Sequence, residues 1–220
     1  MFSLTRHGLW EMLIGTLVLF AVGMGLYWLW PPLAILVLPL LIWLFAFFRD
    51  PNRPIPTDPK IMVSPADGTV SDIVEIPNFE LLNGPCVRVG IFLSVFNVHV
   101  NRAPCDGKVS KLIYKEGKFI NALHHENASA HNESNTIVLS EIGGDRPVAV
   151  VKQIVGLIAR RIVCVPQVGT ALVRGERIGM IKFGSRTELY IPVWLKPNVK
   201  VEVGQKVRGA ADIIAVLEAT

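Results

Sequence analysis

The sequence predicts a mainly β domain of barrel-sandwich type, carried on an N-terminal hydrophobic helical hairpin. Three observations predict it. No charged residue occurs from position 12 to 48, four prolines crowd into 49–60, and from there short β-branched segments alternate with glycine turns. A chain of 220 residues is long enough for one domain plus an anchor. Its 51% hydrophobic and 18% charged residues exclude disorder, and five Trp and ten Phe exclude a low-complexity chain.

The anchor, 1–48, comes first. A bilayer-crossing helix needs roughly 20 apolar residues, so the uncharged run is too long for one simple span and slightly short for two. Pro31-Pro32 breaks any continuous helix near its middle, which divides it into Trp10–Trp30 and Leu33–Phe48. At ~1.5 Å per residue the second piece reaches only about 24 Å, enough to cross a thinned bilayer or to re-enter. Tyr27, Trp28 and Trp30 at the bend suit an interfacial aromatic belt. Arg6 and His7 precede the first piece, and Arg49 and Arg53 follow the second. Positive flanks at both ends place both on the cytoplasmic side of the cell (inner) membrane. A cleaved signal peptide would have an apolar region of ~7–15 residues ending in small residues, unlike Trp-Leu-Trp-Pro-Pro.

Residues 49–60 read as a stiff, extended linker. Beyond it, 61–220 reads as a β domain with strands over Gly68–Glu75, Cys86–Leu93, Lys108–Tyr114, Thr136–Ser140, Ala149–Ile158, Arg161–Val165 and Glu188–Ile191. The turns Ala-Asp-Gly, Cys-Asp-Gly and Gly-Gly-Asp separate them, and no long amphipathic helical stretch follows the anchor. All of the net charge of +4 lies in 49–220, so a basic domain stands beside the membrane and is attracted to anionic headgroups. The basic residues are scattered, with no aromatic-interleaved stripe, which argues against nucleic acid.

Cys86, Cys105 and Cys164 are odd in number and lack CxxC spacing, so they read as reduced core residues. The loop 124–135 holds His124, His125 and His131, but without a third ligand at helix or hairpin spacing it predicts no metal site. Asn127-Ala-Ser and Asn132-Glu-Ser match glycosylation sequons that a cytosolic domain leaves bare. The end of the chain, 201–217, alternates like the half-motifs of biotinyl and lipoyl carriers, which supports the barrel-sandwich and admits a membrane-anchored carrier or adaptor. No lysine stands in a Met-Lys-Met or Asp-Lys-Ala context, as a carrier requires.

Three segments hold polar residues that strand packing does not require. They are Ser64-Pro65-Ala66-Asp67-Gly68, the block 92–104 (Phe-Leu-Ser-Val-Phe-Asn-Val-His-Val-Asn-Arg-Ala-Pro), and 174–186, which ends Met-Ile-Lys-Phe-Gly-Ser-Arg. Singly, each has an ordinary reading: an Asp-Gly turn, a core histidine, a chance Gly-Ser pair. Together, in this order and spacing, they resemble the phosphatidylserine decarboxylase family, from the linker to about residue 195, and the apolar N-terminus is similar to that of its compact bacterial and archaeal members.

The resemblance implies a pyruvoyl enzyme that cuts itself between Gly184 and Ser185 into a β chain, 1–184, and an α chain, 185–220. Ser185 supplies both the nucleophile and, afterwards, the pyruvoyl group, which forms a Schiff base with the substrate amine; neither pyridoxal phosphate nor a metal is implied. Glycine before the serine suits the tight turn such an attack needs. The implied reaction converts phosphatidylserine to phosphatidylethanolamine and carbon dioxide at the membrane surface, and an archaeal ether-linked serine lipid would present the same headgroup. Asp67 matches an acidic residue that supports self-cleavage, and His99 a histidine of the decarboxylation step. Larger members carry a second histidine where this chain has Arg102. Arginine cannot act as the base, which leaves His99, His124 or His125, or Asp67 itself. Arg102, with Asn101 beside it, is instead a candidate for holding the substrate carboxylate or phosphate. Phe-Gly-Ser-Arg replaces the Leu-Gly-Ser-Thr of larger members without changing the cleaving pair. Nothing in the sequence sets the oligomeric state.

Overall fold

The computed structural model describes residues 3–118, 129, 131–156, 161–182 and 185–218. They form two compact units, up to Asn52 and from Arg53 onward.

In the first unit, α1 (Leu9–Leu29) leads through a 3-10 stretch, Pro31–Leu36, into α2 (Val37–Phe47). The break falls at Pro31-Pro32, where the rings remove two backbone donors and leave Trp30 extended. The two pieces pack antiparallel with glycines at the contact. A Cβ at Gly15 would meet Leu44 Cδ2 at 2.8 Å, and one at Gly23 would meet Val37 Cγ2 at 3.5 Å. The ends are tied by a bridge between Leu4 and Arg49 and by Thr5 N–H donating to Phe48 O at 2.9 Å. Among the described residues, Arg6–Leu29 is the one helix long and apolar enough to cross a membrane. The 3-10 stretch rises faster than an α-helix, which extends the reach of Pro31–Phe47 to about 28 Å.

In the second unit, residues 53–58 have no regular structure, as their prolines dictate. Strands then follow: β1 (Ile61–Val63), β2 (Gly68–Phe79), β3 (Gly84–Leu93), β4 (Val100–Arg102), β5 (Gly107–Lys115), β6 (Ser134–Ser140) and β7 (Pro147–Val155). After them come β8 (Ile162–Cys164), β9 (Ala171–Leu172), β10 (Arg177–Ile181), β11 (Ser185–Pro192), β12 (Pro197–Val199), β13 (Lys206–Val207) and β14 (Ile213–Leu217). The mainly β class and the alternation read from the sequence are the observed ones, and each of the seven strands expected is present within a few residues.

The strands build a large curled sheet, β13-β2-β3-β11-β7-β6-β5-β9, and two small ones, β1-β14-β12 and β4-β10-β8. Every pairing between these strands is antiparallel. Residues from all three sheets share one core, including Ile91 and Leu189 of the large sheet, Met62 and Ile214 of the first small sheet, and Ile178 of the second. Side chains alternate across a strand, so β11 sends Leu189 and Ile191 into this core and Tyr190 into a second cluster with Leu82 and Val150. Both faces of β11 are therefore covered. The three cysteines are free, and burial pushes the Cys105 thiol up to about 12, far from a reactive thiolate.

Candidate active site

Ser185 opens β11 between Leu93 of β3 and Val155 of β7, at the end of the core face of the large sheet. Its residue is fully buried, and Oγ has no hydrogen-bond partner among the described residues. An orphaned buried hydroxyl costs free energy, so in a native chain it calls for a chemical reason. At this end of the sheet Val155 packs with Ile181 and Ile162.

Three residues separate Ser185 from Ile181, the last residue of β10. Ile181 N–H donates to the His99 carbonyl at 3.2 Å, and β10 pairs with β4, which begins one residue after His99. The chain between Leu93, opposite Ser185, and His99 is a tight turn. Asn97 Oδ1 accepts from Ser94 N–H at 2.9 Å and from Ser94 Oγ at 2.8 Å. The turn thus carries the chain from the ladder beside Ser185 to the strand that pairs with β10. His99 is fully buried, and its Nδ1 lies 3.0 Å from Asn97 O. A carbonyl only accepts, so Nδ1 bears the proton, and in the neutral ring Nε2 is the basic nitrogen.

Beneath Ser185 on the same face runs a chain of buried amides. Asn135 Nδ2 donates to Gln153 Oε1 at 3.0 Å, Gln153 Nε2 to Asn101 Oδ1 at 2.9 Å, and Asn101 Nδ2 to Thr187 Oγ1 at 3.1 Å. Thr187 faces Gln153 in the ladder, two residues below Ser185. Gly179 makes room for this chain and its strand: a Cβ there would stand 1.9 Å from Val163 O and 3.1 Å from Gln153 Nε2. That close approach requires a glycine at position 179. Gly175, four residues earlier, has φ +78° in a turn that few side chains tolerate.

Asp67 is held elsewhere. Its carboxylate takes both arms of Arg53, at 2.5 and 2.8 Å, and the N–H of Gly209 at 2.8 Å. The turn it anchors is nonetheless bound to β4, because Pro65 O accepts from Arg102 N–H at 2.9 Å and lies 3.5 Å from Asn101 Nδ2. Arg102 is buried and one guanidinium nitrogen donates to Gly175 O at 3.0 Å. The side chains of Asn101 and Arg102 thus hydrogen-bond within the protein. His124, His125 and Gly184 lie outside the described residues. Among the described residues no group of three or more His, Cys, Asp or Glu is placed to hold a metal.

Sequence reasoning missed Arg53, the amide chain through Gln153 and Asn135, and a charged cluster on the opposite face of β11. There Arg186 and Glu188, both fully buried, meet Asp72 and Arg88. Burial pushes the Glu188 carboxyl up, but the Arg186 guanidinium and the hydroxyls of Ser129 and Tyr190 outweigh it and hold the group below the ordinary carboxylate value. For Asp72, burial is likewise outweighed by Arg186, with Ser71 and Arg88 adding to the lowering. The available signal was the alternation Arg-x-Glu within a strand.

The family model for phosphatidylserine decarboxylase matches residues 40–215. A phosphatidylserine decarboxylase proenzyme of Rhodopirellula baltica is 45% identical over 215 residues, covering 96% of this chain and 86% of its own. One of Paraburkholderia xenovorans is 42% identical over 205 residues, covering 93% and 90%, and one of Cereibacter sphaeroides is 45% identical over 198 residues, covering 89% and 83%. With the match running from within α2 through the block that carries Gly184-Ser185, this chain belongs to the phosphatidylserine decarboxylase family.

Proposed function

We propose that this chain is made as a proenzyme, cuts itself between Gly184 and Ser185, and decarboxylates phosphatidylserine to phosphatidylethanolamine at the cytoplasmic face of a membrane. The observation that carries the reading is the buried Ser185 Oγ at the head of β11, without a hydrogen-bond partner among the described residues, in a family whose relatives are named proenzymes.

In the cleavage step Ser185 Oγ attacks the Gly184 carbonyl, and the peptide bond becomes an ester as the amine of residue 185 is released. Abstraction of the Cα proton expels the Gly184 carboxylate and leaves dehydroalanine. Hydrolysis then releases ammonia and leaves a ketone at the new N-terminus. His99 is the proposed proton carrier. Nδ1–H, fixed on Asn97 O, turns the basic Nε2 away from that carbonyl and keeps the tautomer constant. Asp67, whose oxygens are engaged by Arg53 and Gly209, supports the step from beneath by fixing the 64–68 turn on which Asn101 and Arg102 rest. The amide chain holds Thr187, and with it the start of β11, in place.

The residues present fit the pyruvoyl group, since its precursor hydroxyl is already buried with no hydrogen-bond partner among the described residues. Once formed, the group supplies the electron sink for loss of carbon dioxide from the serine headgroup. The protein orients the headgroup and returns a proton to Cα, for which His99 is the proposed donor. Apolar Val155, Ile181 and Ile162 keep water from the reacting end of the sheet. The apolar helices and the basic domain suit a substrate that stays in the bilayer, which the chain meets without extracting it.

Carbon dioxide release from phosphatidylserine in mixed micelles tests the activity. Turnover by the wild-type protein and none by Ser185→Ala is the expected result; a folded wild-type protein that leaves the headgroup carboxylate in place overturns the reading.

A further inference from the structure

The cleavage proposed above creates a mechanical problem that the charged cluster answers. Residue 185 loses its covalent tether to 184, and the reactive carbonyl then sits at a free strand end, where ladders fray. The nearest side chain able to hold it belongs to residue 186.

Arg186 is fully buried. Its guanidinium donates to Asp72 Oδ2 at 2.6 Å, Ser71 Oγ at 2.5 Å and Glu188 Oε1 at 2.9 Å. To reach β2 it must cross β3, and it does so over Gly90, the register partner of both Asp72 and Glu188. A Cβ at Gly90 would stand 2.1 Å from Arg186 Nη2, so the missing side chain is the slot in which the guanidinium lies. On the far side the β2 register shifts between Val70 and Asp72. Val70 faces the core, and the extra residue, Ser71, turns Asp72 to the opposite face, where it meets Arg186. Slot and bulge are both built for one side chain. After cleavage this clamp joins the two chains: Ser71, Asp72 and Gly90 belong to the large one, Arg186 and Glu188 to the small one.

We propose that Arg186 is a positioning residue that pins the new N-terminus of the small chain, so that the carbonyl at residue 185 keeps its place once the tether to 184 is gone. The proposal rests on the pyruvoyl reading and adds to it the group that orients the ketone. A planar fork with two carboxylate partners fixes direction as well as position, which a threonine at this place would not do.

The test uses the full chain in detergent, as wild type, Arg186→Met, Arg186→Lys, Asp72→Ala and Gly90→Ala. Intact mass and aminooxy tagging give the amount of ketone-bearing small chain, and turnover on phosphatidylserine micelles is expressed per ketone. Arg186→Met and Asp72→Ala are expected to form ketone but to lose at least tenfold in kcat per ketone, with KM within twofold and part of the loss recovered in Arg186→Lys. A purely structural role would lower the yield of folded ketone-bearing protein and leave kcat per ketone unchanged. Should Arg186→Met not fold, Asp72→Ala and Gly90→Ala decide, since each loosens the clamp and keeps the arginine. Values within twofold of wild type overturn the proposal while leaving the pyruvoyl reading intact; an uncut wild-type chain overturns both.

Discussion

Gln153→Met removes the middle link of the buried amide chain while nearly keeping its volume. Gln153 is fully buried, and the change strips Asn101 Oδ1 and Asn135 Nδ2 of their partners. Asn101 is fully buried and Asn135 nearly so, so water reaches neither readily. Each orphaned buried group costs about 1–3 kcal/mol, which gives roughly 2–6 kcal/mol for the pair. In a domain of this size each kcal/mol lowers the melting midpoint by about 2–4 °C, so a central loss of about 4 kcal/mol corresponds to about 8–16 °C. The double variant Asn135→Leu/Gln153→Met removes one of the two orphans and is expected to recover part of the loss, a non-additivity that marks direct contact. Thermal denaturation in detergent, followed by far-ultraviolet circular dichroism, reads both. A Gln153→Met protein melting within 1 °C of wild type would refute the claim that these amides satisfy one another. The cleavage rate should fall as well, because Thr187 and β11 hang from the same chain.

Other outcomes follow from the same geometry. His99→Ala should slow formation of the small chain or turnover by about 10²–10⁴-fold, as loss of a positioned proton carrier does, with normal rates in both counting against its role. Asp67→Ala leaves the largely buried Arg53 without its carboxylate and should cost about 3–5 kcal/mol, readable by urea unfolding, whereas an unchanged midpoint would contradict the pairing. The carboxyls of Glu188 and Asp72 lie below their ordinary values of 4.5 and 3.8. Their stabilisation is therefore complete above those values and is lost as pH falls through the lower folded ones. Stability should be nearly flat above about pH 5 and drop below about pH 4, less steeply in Asp72→Asn; equal slopes would argue against a paired carboxylate.

The strands were legible because β-branched runs between glycine turns leave few alternatives, and the helix break was legible because two adjacent prolines forbid anything else. Ser185, His99 and Asp67 are candidates only as a constellation, since each alone has an ordinary explanation. Their partners in the fold were not legible. Arg53 lies in a proline-rich linker and reads as a membrane-flanking charge, yet it closes on Asp67 together with Gly209, which is 142 positions away from that aspartate. Local pattern carries no information on such a pairing. Arg186 and Glu188 alternate with core residues, and period-2 logic assigns them to a solvent face. The structure instead buries them: Asp72 and Ser71 reach Arg186 and Ser129 reaches Glu188, while further along the same face Phe79 stacks on Tyr190 at 4.4 Å with Leu82 in the same cluster. A strand pattern says which residues share a face; whether that face is covered depends on elements far away in the chain.

The most direct test of the account is the intact mass of the purified protein beside Ser185→Ala. The account predicts two chains divided between Gly184 and Ser185, the smaller bearing a ketone that borohydride reduces, and a single uncut chain in the variant. A folded wild-type protein that remains one unmodified chain, or a Ser185→Ala variant cut at the same bond, would contradict it.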